Sequence, residues 1–236
     1  MDRFPIYLFP PSEHRWYVAG APLIGGQPIA GPPQSADVAA GGWWVCEWSA
    51  AILRTRDQHA AWRAFLATLN SGVNAIEVPA LDILQPWPGG VVPLPEPHSD
   101  GAPFADDSLY ATEPIVASLA AAAYMPAWPA PATAPTQAQI AITSGNALRG
   151  GEYFSVTGPS GMVRMHMVCR VLSTSGDVST VSLIPPFRED MTSGTAVDFN
   201  EPRCTMKGDV ASIADAWPKI QPPFVGRPSI KFVEAF

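Results

Sequence analysis

The chain has 236 residues, of which 47% are apolar and only 15% are charged, and its net charge at neutral pH is −7. This length suits one large β domain or one domain with a sizeable insertion, and the apolar content is enough for a real core. The negative net charge argues against a protein that binds nucleic acid through its phosphates. The 27 prolines and 19 glycines argue against a helical protein.

The N-terminal stretch predicts short strands. Residues 4–9 and 15–19 are aromatic and aliphatic runs, and a glycine- and proline-rich loop follows, with an edge strand at 23–24 as one option. Residues 43–53, WWVCEWSAAIL, predict a strand buried on both faces of a sheet. Glu47 inside that strand then needs a partner or an exposed position.

One helix is predicted over about residues 55–71. Thr55 and Gln58 form a capping-box pattern at its start, and Gly72 lies in the usual C-terminal position. Residues 73–78 then predict a strand, which a proline ends, so that the helix lies over a sheet. The apolar face of the helix has the spacing i, i+3, i+4, i+7 and consists of Trp62, Phe65, Leu66 and Leu69.

Residues 80–135 differ from the rest of the chain because about every fifth residue is a proline. Such a segment does not form a regular sheet, so we predict an insertion or arm that projects from a β core formed by residues 1–79 and 136–236. Its many aromatic residues argue against disorder throughout, and ordering on a neighbouring subunit is an alternative. Three of its residues form an acidic cluster: Asp100, Asp106 and Asp107.

A strand at residues 137–143 is followed by a stretch at 148–189 that predicts three consecutive antiparallel strands, at 153–156, 162–172 and 178–184. The middle strand alternates between two faces. The apolar face, expected to be buried, holds Val163, Met165, Met167, Cys169 and Val171, and the polar outer face holds Arg164, His166 and Arg170, interrupted by Val168.

The C-terminal part predicts further strands at 196–199, 203–207 and 230–233, and a short helix at 209–217 with Asp209 as its N-cap. The fold class that results is mainly β. We predict an antiparallel β-sandwich or barrel with one packed helix and a proline-rich insertion.

Motifs for catalysis, cofactors and metals do not emerge. The turn Gly-Pro-Ser-Gly at 158–161 is one residue too short for a nucleophile elbow and lies between strands. The four histidines share no metal-ligand spacing, and the acidic cluster lacks the pattern of a calcium loop. We therefore predict no catalytic residue, no metal site and no cofactor.

The cysteines and the apolar runs bear on the cellular compartment. Cys46, Cys169 and Cys204 are isolated and odd in number, which argues against a disulfide framework, and Cys169 is predicted to be a buried free thiol. The chain shows no signal-peptide pattern, and its longest apolar run, at 115–125, is about half of a membrane span. We expect a protein made in the cytoplasm without membrane insertion.

Low charge and eight tryptophans are typical of a surface that protein neighbours cover, although tryptophans also fill β cores. Two arginines flank a histidine on the predicted outer face of strand 162–172. Either this is a solvated face, or it contacts an acidic patch of another subunit. The candidate subunit interface comprises Arg164, His166, Arg170, Asp100, Asp106, Asp107, Trp87 and Trp128.

The order of several segments resembles the distal tail proteins of long-tailed bacteriophages. These segments are a helix followed by a short strand, the strand GEYFSV, a basic strand, the exit SLIPPFRE and the chain end SIKFVEAF. The resemblance implies a homohexameric ring at the tail tip of the virion, made in the host cytoplasm. It also implies a ring that joins the tail tube protein to the tail hub protein and leaves a channel through which DNA passes without specific binding. Residues 80–135 do not match the pattern.

Two other functions stay open at this point. Tryptophan and acidic residues at 87–107 would suit a carbohydrate-binding β-sandwich involved in host recognition, since sugars stack on aromatic rings. A cell-wall hydrolase would need a pair of carboxylates or a metal site, and we find neither pattern in the sequence.

Overall fold

The computed structural model describes residues 2–5, 8–9, 11–20, 22–24, 35–37, 41–80, 116–123, 136–144, 147–217 and 225–236. The fold is mainly β with antiparallel sheets and one main helix, which confirms the predicted fold class. In chain order the elements are β1 (Glu13–Ala19), β2 (Pro22–Ile24), β3 (Ser35–Asp37), β4 (Trp43–Ser49), α1 (Arg56–Thr68), β5 (Ala75–Pro79), β6 (Val116–Leu119), β7 (Gln137–Ser144), β8 (Tyr153–Thr157), β9 (Val163–Ser175), β10 (Val178–Ile184), β11 (Ala196–Asp198), β12 (Arg203–Gly208), α2 (Val210–Asp215) and β13 (Ile230–Glu234).

The chain divides into two compact units. The first consists of Met1–Pro79 and Arg203–Phe236, and the second of Ala80–Pro202. The sequence-based division shared the boundary after Pro79 but placed residues 136–202 with the first unit. The contacts instead group those residues with the second unit, because their strands pair with one another and with β6.

The first unit is a five-stranded antiparallel sheet in the order β1-β4-β13-β12-β5, accompanied by the helix predicted from its capping box. Thr55 Oγ1 accepts a hydrogen bond from the Gln58 backbone N–H, and the Gln58 side chain accepts one from the Thr55 N–H, both at 3.2 Å. Each of these bonds satisfies a backbone group that a helix start would otherwise leave unpaired. A short 3-10 turn, Asn70–Gly72, follows α1.

Aromatic residues connect the helix to one face of this sheet. The ring of Phe4 lies 5.0 Å from Phe65 of α1, 4.1 Å from Trp48 of β4 and 5.8 Å from Phe232 of β13. Trp62 is fully buried, and its indole N–H donates to the Ala216 carbonyl at 2.9 Å. The prediction that the apolar helix face covers the sheet is therefore confirmed. The short helix α2 is also confirmed, with Asp209 accepting from the Ser212 N–H.

The second unit is a closed six-stranded barrel in the order β10-β7-β6-β11-β8-β9. The predicted three-strand stretch supplies β8, β9 and β10, which pair as consecutive antiparallel neighbours. The interior is filled mainly by aliphatic and aromatic side chains, and its largest members are Phe154, Phe187, Phe199, Leu119, Ile140, Leu148, Met191 and Leu183.

Part of the predicted insertion belongs to this barrel. Residues 116–119 form β6 between β7 and β11, and Ala123 bridges to Met191. The prediction of a projecting arm without regular sheet is wrong for these residues, since the run from 116 to 123 contains no proline and can donate to a ladder. Residues 81–115 and 124–135 lie outside the described residues.

Two of the strands predicted from the sequence do not reach as far in the structure. Around the predicted strand at 4–9, Arg3 bridges to Glu77 but the Leu8 and Phe9 N–H groups donate to the Pro5 carbonyl, which is a turn. The strand predicted at 43–53 ends at Ser49, because Ala50 adopts a positive φ of 52°. No helix within the described ranges is long and apolar enough to span a bilayer.

Candidate functional site

The basic strand β9 carries its predicted polar residues on the inside of the barrel. Arg164 is directly opposite Val156, and His166 is opposite Phe154. Directly opposed residues of an antiparallel pair point to the same face, and Phe154 and Val156 belong to the core. Arg164 and His166 are accordingly only 6% and 1% exposed. The prediction of a polar outer face is wrong for both residues.

Two irregularities in the β9–β10 pairing explain why the simple alternation fails. Val181 is opposite Val171, and Leu183 is opposite Val168. One register shift lies between Thr180 and Val181, and the other between Ser182 and Leu183. A bulge inserts an extra residue on one strand and so reverses which residues face inward. Val168 and Val171 therefore both pack on the core, whereas Cys169 is exposed. The prediction of a buried Cys169 thiol is wrong.

Arg170 is the one member of the basic set that has the predicted exposure. Its role as a subunit contact stays a prediction. The remaining candidate interface residues lie outside the described residues: Trp87, Asp100, Asp106, Asp107 and Trp128.

Arg164 has a partner that the sequence analysis did not identify. Glu189, in the segment after β10, lies with its Oε1 3.4 Å from Arg164 Nε. The same carboxylate accepts hydrogen bonds from the Ser160 hydroxyl at 2.7 Å and from the Ser160 backbone N–H at 2.9 Å. It also lies directly over Gly158, where a Cβ atom would come within 2.6 Å of Oε2. Glu189 therefore connects the β8–β9 turn to the segment that follows β10.

The electrostatics of this cluster favour the charged carboxylate. Burial alone would raise the pKa of Glu189, but the hydrogen bonds from Ser160 and the charge of Arg164 outweigh burial and lower the pKa below its usual range. The sequence analysis did not point to this pair, because Glu189 lies beyond the strand predicted at 178–184 and Arg164 was predicted to lie on an outer face.

A second group of charged residues lies in the first unit, on the sheet face opposite α1. We call it the polar sheet face and define it by the strand register, in which directly opposed residues share a face. Its charged members are Arg3, Glu13, Arg15, Glu47, Glu77, Arg203, Lys207 and Lys231.

Glu47 is the centre of one charged row on the polar sheet face. Its Oε1 accepts a hydrogen bond from the Tyr17 hydroxyl at 3.0 Å and lies 3.5 Å from Lys231 Nζ. The guanidinium of Arg15 lies 4.9 Å from the centre of the Tyr17 ring. Hydrogen bonding to Tyr17 and then the charge of Glu47 raise the pKa of Lys231. The expectation that Glu47 has a partner or an exposed position is confirmed.

Glu77 is the centre of the other charged row. It lies 2.9 Å from Arg203 Nη1 and 3.6 Å from Arg3 Nε. Between the two rows runs a mostly apolar band across the sheet. Tyr17, Val233 and Ala75 of this band are half-buried, and Val45 is buried. Lys207 is directly opposite both Val233 and Ala75 and so lies within the band.

This arrangement can bind a protein surface, because a partly exposed apolar band with charged rows on both sides is the anatomy of an interface. Within the part of the chain that the structure describes, no group of three or more histidine, cysteine, aspartate or glutamate side chains is arranged to hold a metal ion. A scan against protein-family models and a search of curated proteins find no match for the chain.

Proposed function

We propose that this chain is a structural subunit of a bacteriophage tail, a distal tail protein that forms a ring between the tail tube and the tail hub. The order of its segments motivates the proposal, and the mainly β fold with a helix on the sheet agrees with it. The work of such a subunit is done by its surfaces, so it carries no catalytic residue.

The observation that supports the proposal most is the polar sheet face. On the opposite face of the same sheet, Phe4 packs between α1 and the strands, so that face is covered. On the polar sheet face, Tyr17 and Val233 are only half-buried in a single chain. A sheet that presents apolar side chains on its second face is stabilised when another layer covers them. In a ring, that layer comes from the neighbouring subunit through a head-to-tail contact that closes by rotation.

The net charge of the chain agrees with a ring through which DNA passes. A net charge of −7 per subunit leaves a ring that repels phosphate, so DNA can pass without being retained.

The experiment is a measurement of particle mass and shape on the purified full-length chain. Native mass spectrometry is expected to give six copies of the chain, and negative-stain electron microscopy is expected to show a ring with a central hole. A particle that stays a monomer at every accessible concentration, or one that is a closed two-fold dimer, would contradict the proposal.

A further inference from the structure

We infer that the polar sheet face binds a second copy of this chain through that copy's acidic stretch, residues 82–113. This inference rests on the proposed function in one respect, namely that the neighbour is another copy of the chain. It adds which two surfaces meet and which charges hold them together.

The first observation is that the polar sheet face is basic on an acidic protein. It carries five basic residues and three acidic ones, whereas the whole chain has 14 basic and 21 acidic residues. The face therefore has a net positive charge, whereas the whole chain has a net negative charge. A charge distribution of this kind directs association towards an acidic surface.

The second observation is that two of the acidic residues on this face are already paired with its own basic residues. Glu47 lies beside Lys231 and the Tyr17 hydroxyl, and Glu77 lies beside Arg203. Arg15 is stacked on the Tyr17 ring, which leaves its guanidinium edge accessible to a carboxylate. Lys207 lies in the mostly apolar band, where a charge gains most from an incoming counter-charge.

The third observation is where the acidic residues of the chain lie. Residues 82–113 contain no lysine or arginine. Their six acidic residues are Asp82, Glu96, Asp100, Asp106, Asp107 and Glu113. Most of the net charge of the chain is thus concentrated in one stretch, which makes that stretch of another copy the best electrostatic match for the face.

The location of Arg164 removes this arginine from the subunit contact that the sequence suggested. Arg164 lies inside the barrel beside Glu189, so it does not present its charge to a neighbour. The polar sheet face provides the basic surface instead. Since an acidic stretch and a basic face are different patches, the contact is heterologous and can repeat around a ring.

The experiment compares assembly of the wild-type chain with charge-reversal variants. The face variant carries Arg15→Glu and Lys207→Glu, and the stretch variant carries Asp100→Lys, Asp106→Lys and Asp107→Lys. The matched control carries Arg54→Glu and Arg227→Glu, two exposed basic residues elsewhere in the first unit. Multi-angle light scattering after size exclusion gives the mass of each, and circular dichroism checks folding.

We expect the face variant and the stretch variant each to lose assembly, with the dissociation constant raised about tenfold or more, whereas the control assembles like the wild type. Mixing the two variants is expected to restore rings in which the two variants alternate. The intact acidic stretch of the face variant meets the intact face of the stretch variant, and the two reversed surfaces also carry opposite charges. A chain that carries both sets of reversals is expected to assemble again, since its charges are exchanged and attract.

Each other outcome is decisive. If the wild type forms rings and the face variant does too, the inference is overturned while the proposed function stands. If neither the mixture nor the doubly reversed chain gives a ring, the stretch does not meet this face in a second copy. If the wild type never assembles, the proposed function itself fails. Should the face variant misfold, Arg15→Gln with Lys207→Gln replaces it, and a weaker salt dependence of assembly is then expected.

Discussion

His166 and Phe154 face each other across β8 and β9 inside the barrel, with ring centroids 5.4 Å apart. His166 Nδ1 lies 2.7 Å from the Pro185 carbonyl oxygen, which requires a proton on Nδ1. Nε2 is buried without a hydrogen-bond partner among the described residues. The ring is therefore neutral, and burial, together with the charges of Arg164 and Arg188, lowers the pKa of His166 to about 4.

We predict that the barrel loses stability as the pH falls from about 6.5 to about 4. An unfolded histidine has a pKa near 6.5, so in this window the unfolded chain binds more protons than the folded one. Stability is full above the unfolded pKa and decreases as the pH falls towards the folded pKa, by roughly 3 kcal/mol in total. Hydrogen exchange of peptides from β8 and β9, measured across this pH range, would show the effect.

His166→Gln keeps a donor for the Pro185 carbonyl but removes the titrating group. The pH dependence of exchange in β8 and β9 should flatten in this variant, and His14→Gln, in the first unit, should leave it unchanged. An identical pH slope in the wild type and in His166→Gln would show that another group controls the acid response of the barrel.

The Glu189 carboxylate gives a second prediction. Glu189→Gln keeps an acceptor for Ser160 but removes the negative charge beside Arg164, whose side chain is only 8% exposed. We expect a loss of about 1–3 kcal/mol in the free energy of unfolding, measured by urea denaturation, and a larger loss for Glu189→Ala. Asp177→Asn, in the exposed β9–β10 turn, is the control and should change stability by less than about 0.5 kcal/mol. Equal stability of Glu189→Gln and the wild type would mean that the ion pair contributes nothing.

The third prediction concerns the helix α1. Trp62→Ala should lower the free energy of unfolding by about 3–5 kcal/mol, because it removes a fully buried indole. Trp62→Phe should cost less, since a ring still contacts Phe9 while the hydrogen bond to Ala216 is lost. Trp217→Ala, at a site that is 47% exposed, is the control. If Trp62→Ala has the same melting temperature as Trp217→Ala, the residues that contribute most to the stability of this unit lie elsewhere.

The fourth prediction compares the stability cost of alanine substitution at two glycines that have positive φ. At Gly72, with φ of +87°, a Cβ atom would lie 2.4 Å from the Gly208 carbonyl oxygen, whereas at Gly176, with φ of +57°, the space is open. Gly176→Ala should cost only the left-handed backbone strain of about 1–2 kcal/mol. Gly72→Ala should cost clearly more in urea denaturation, because backbone must move. Similar costs at both sites would show that the chain relaxes around Gly72.

Much of the fold follows from local patterns in the sequence. The capping box and the apolar spacing located α1, and the alternation and turns located β8, β9 and β10 within a few residues. These features depend on neighbours in the chain, and local physical chemistry decides them. The division into two units did not follow, because it depends on whether β12 and β13 pair with β4 and β5 or with the barrel strands.

The sites were harder to predict than the fold. Period-two alternation predicts that Arg164 is solvated. In the structure, Glu189 beside it makes burial of that charge tolerable. The two register shifts opposite Val168 and Val171 also leave no trace in a single sequence. The polar sheet face was missed because its charged residues come from six separate segments that only the sheet brings together.

The sheet order of the first unit has a consequence for how the protein is made on the ribosome. β12 and β13 lie in the middle of the sheet but follow its other strands in the chain, so β1 and β4 cannot join β5 until residues 203–234 have been synthesised. The barrel strands are complete by Asp198. The nascent chain therefore holds an unpaired edge of β4 until β13 has been synthesised. Cellular yield should thus depend on protection of that edge against aggregation, more than on the stability of the finished sheet.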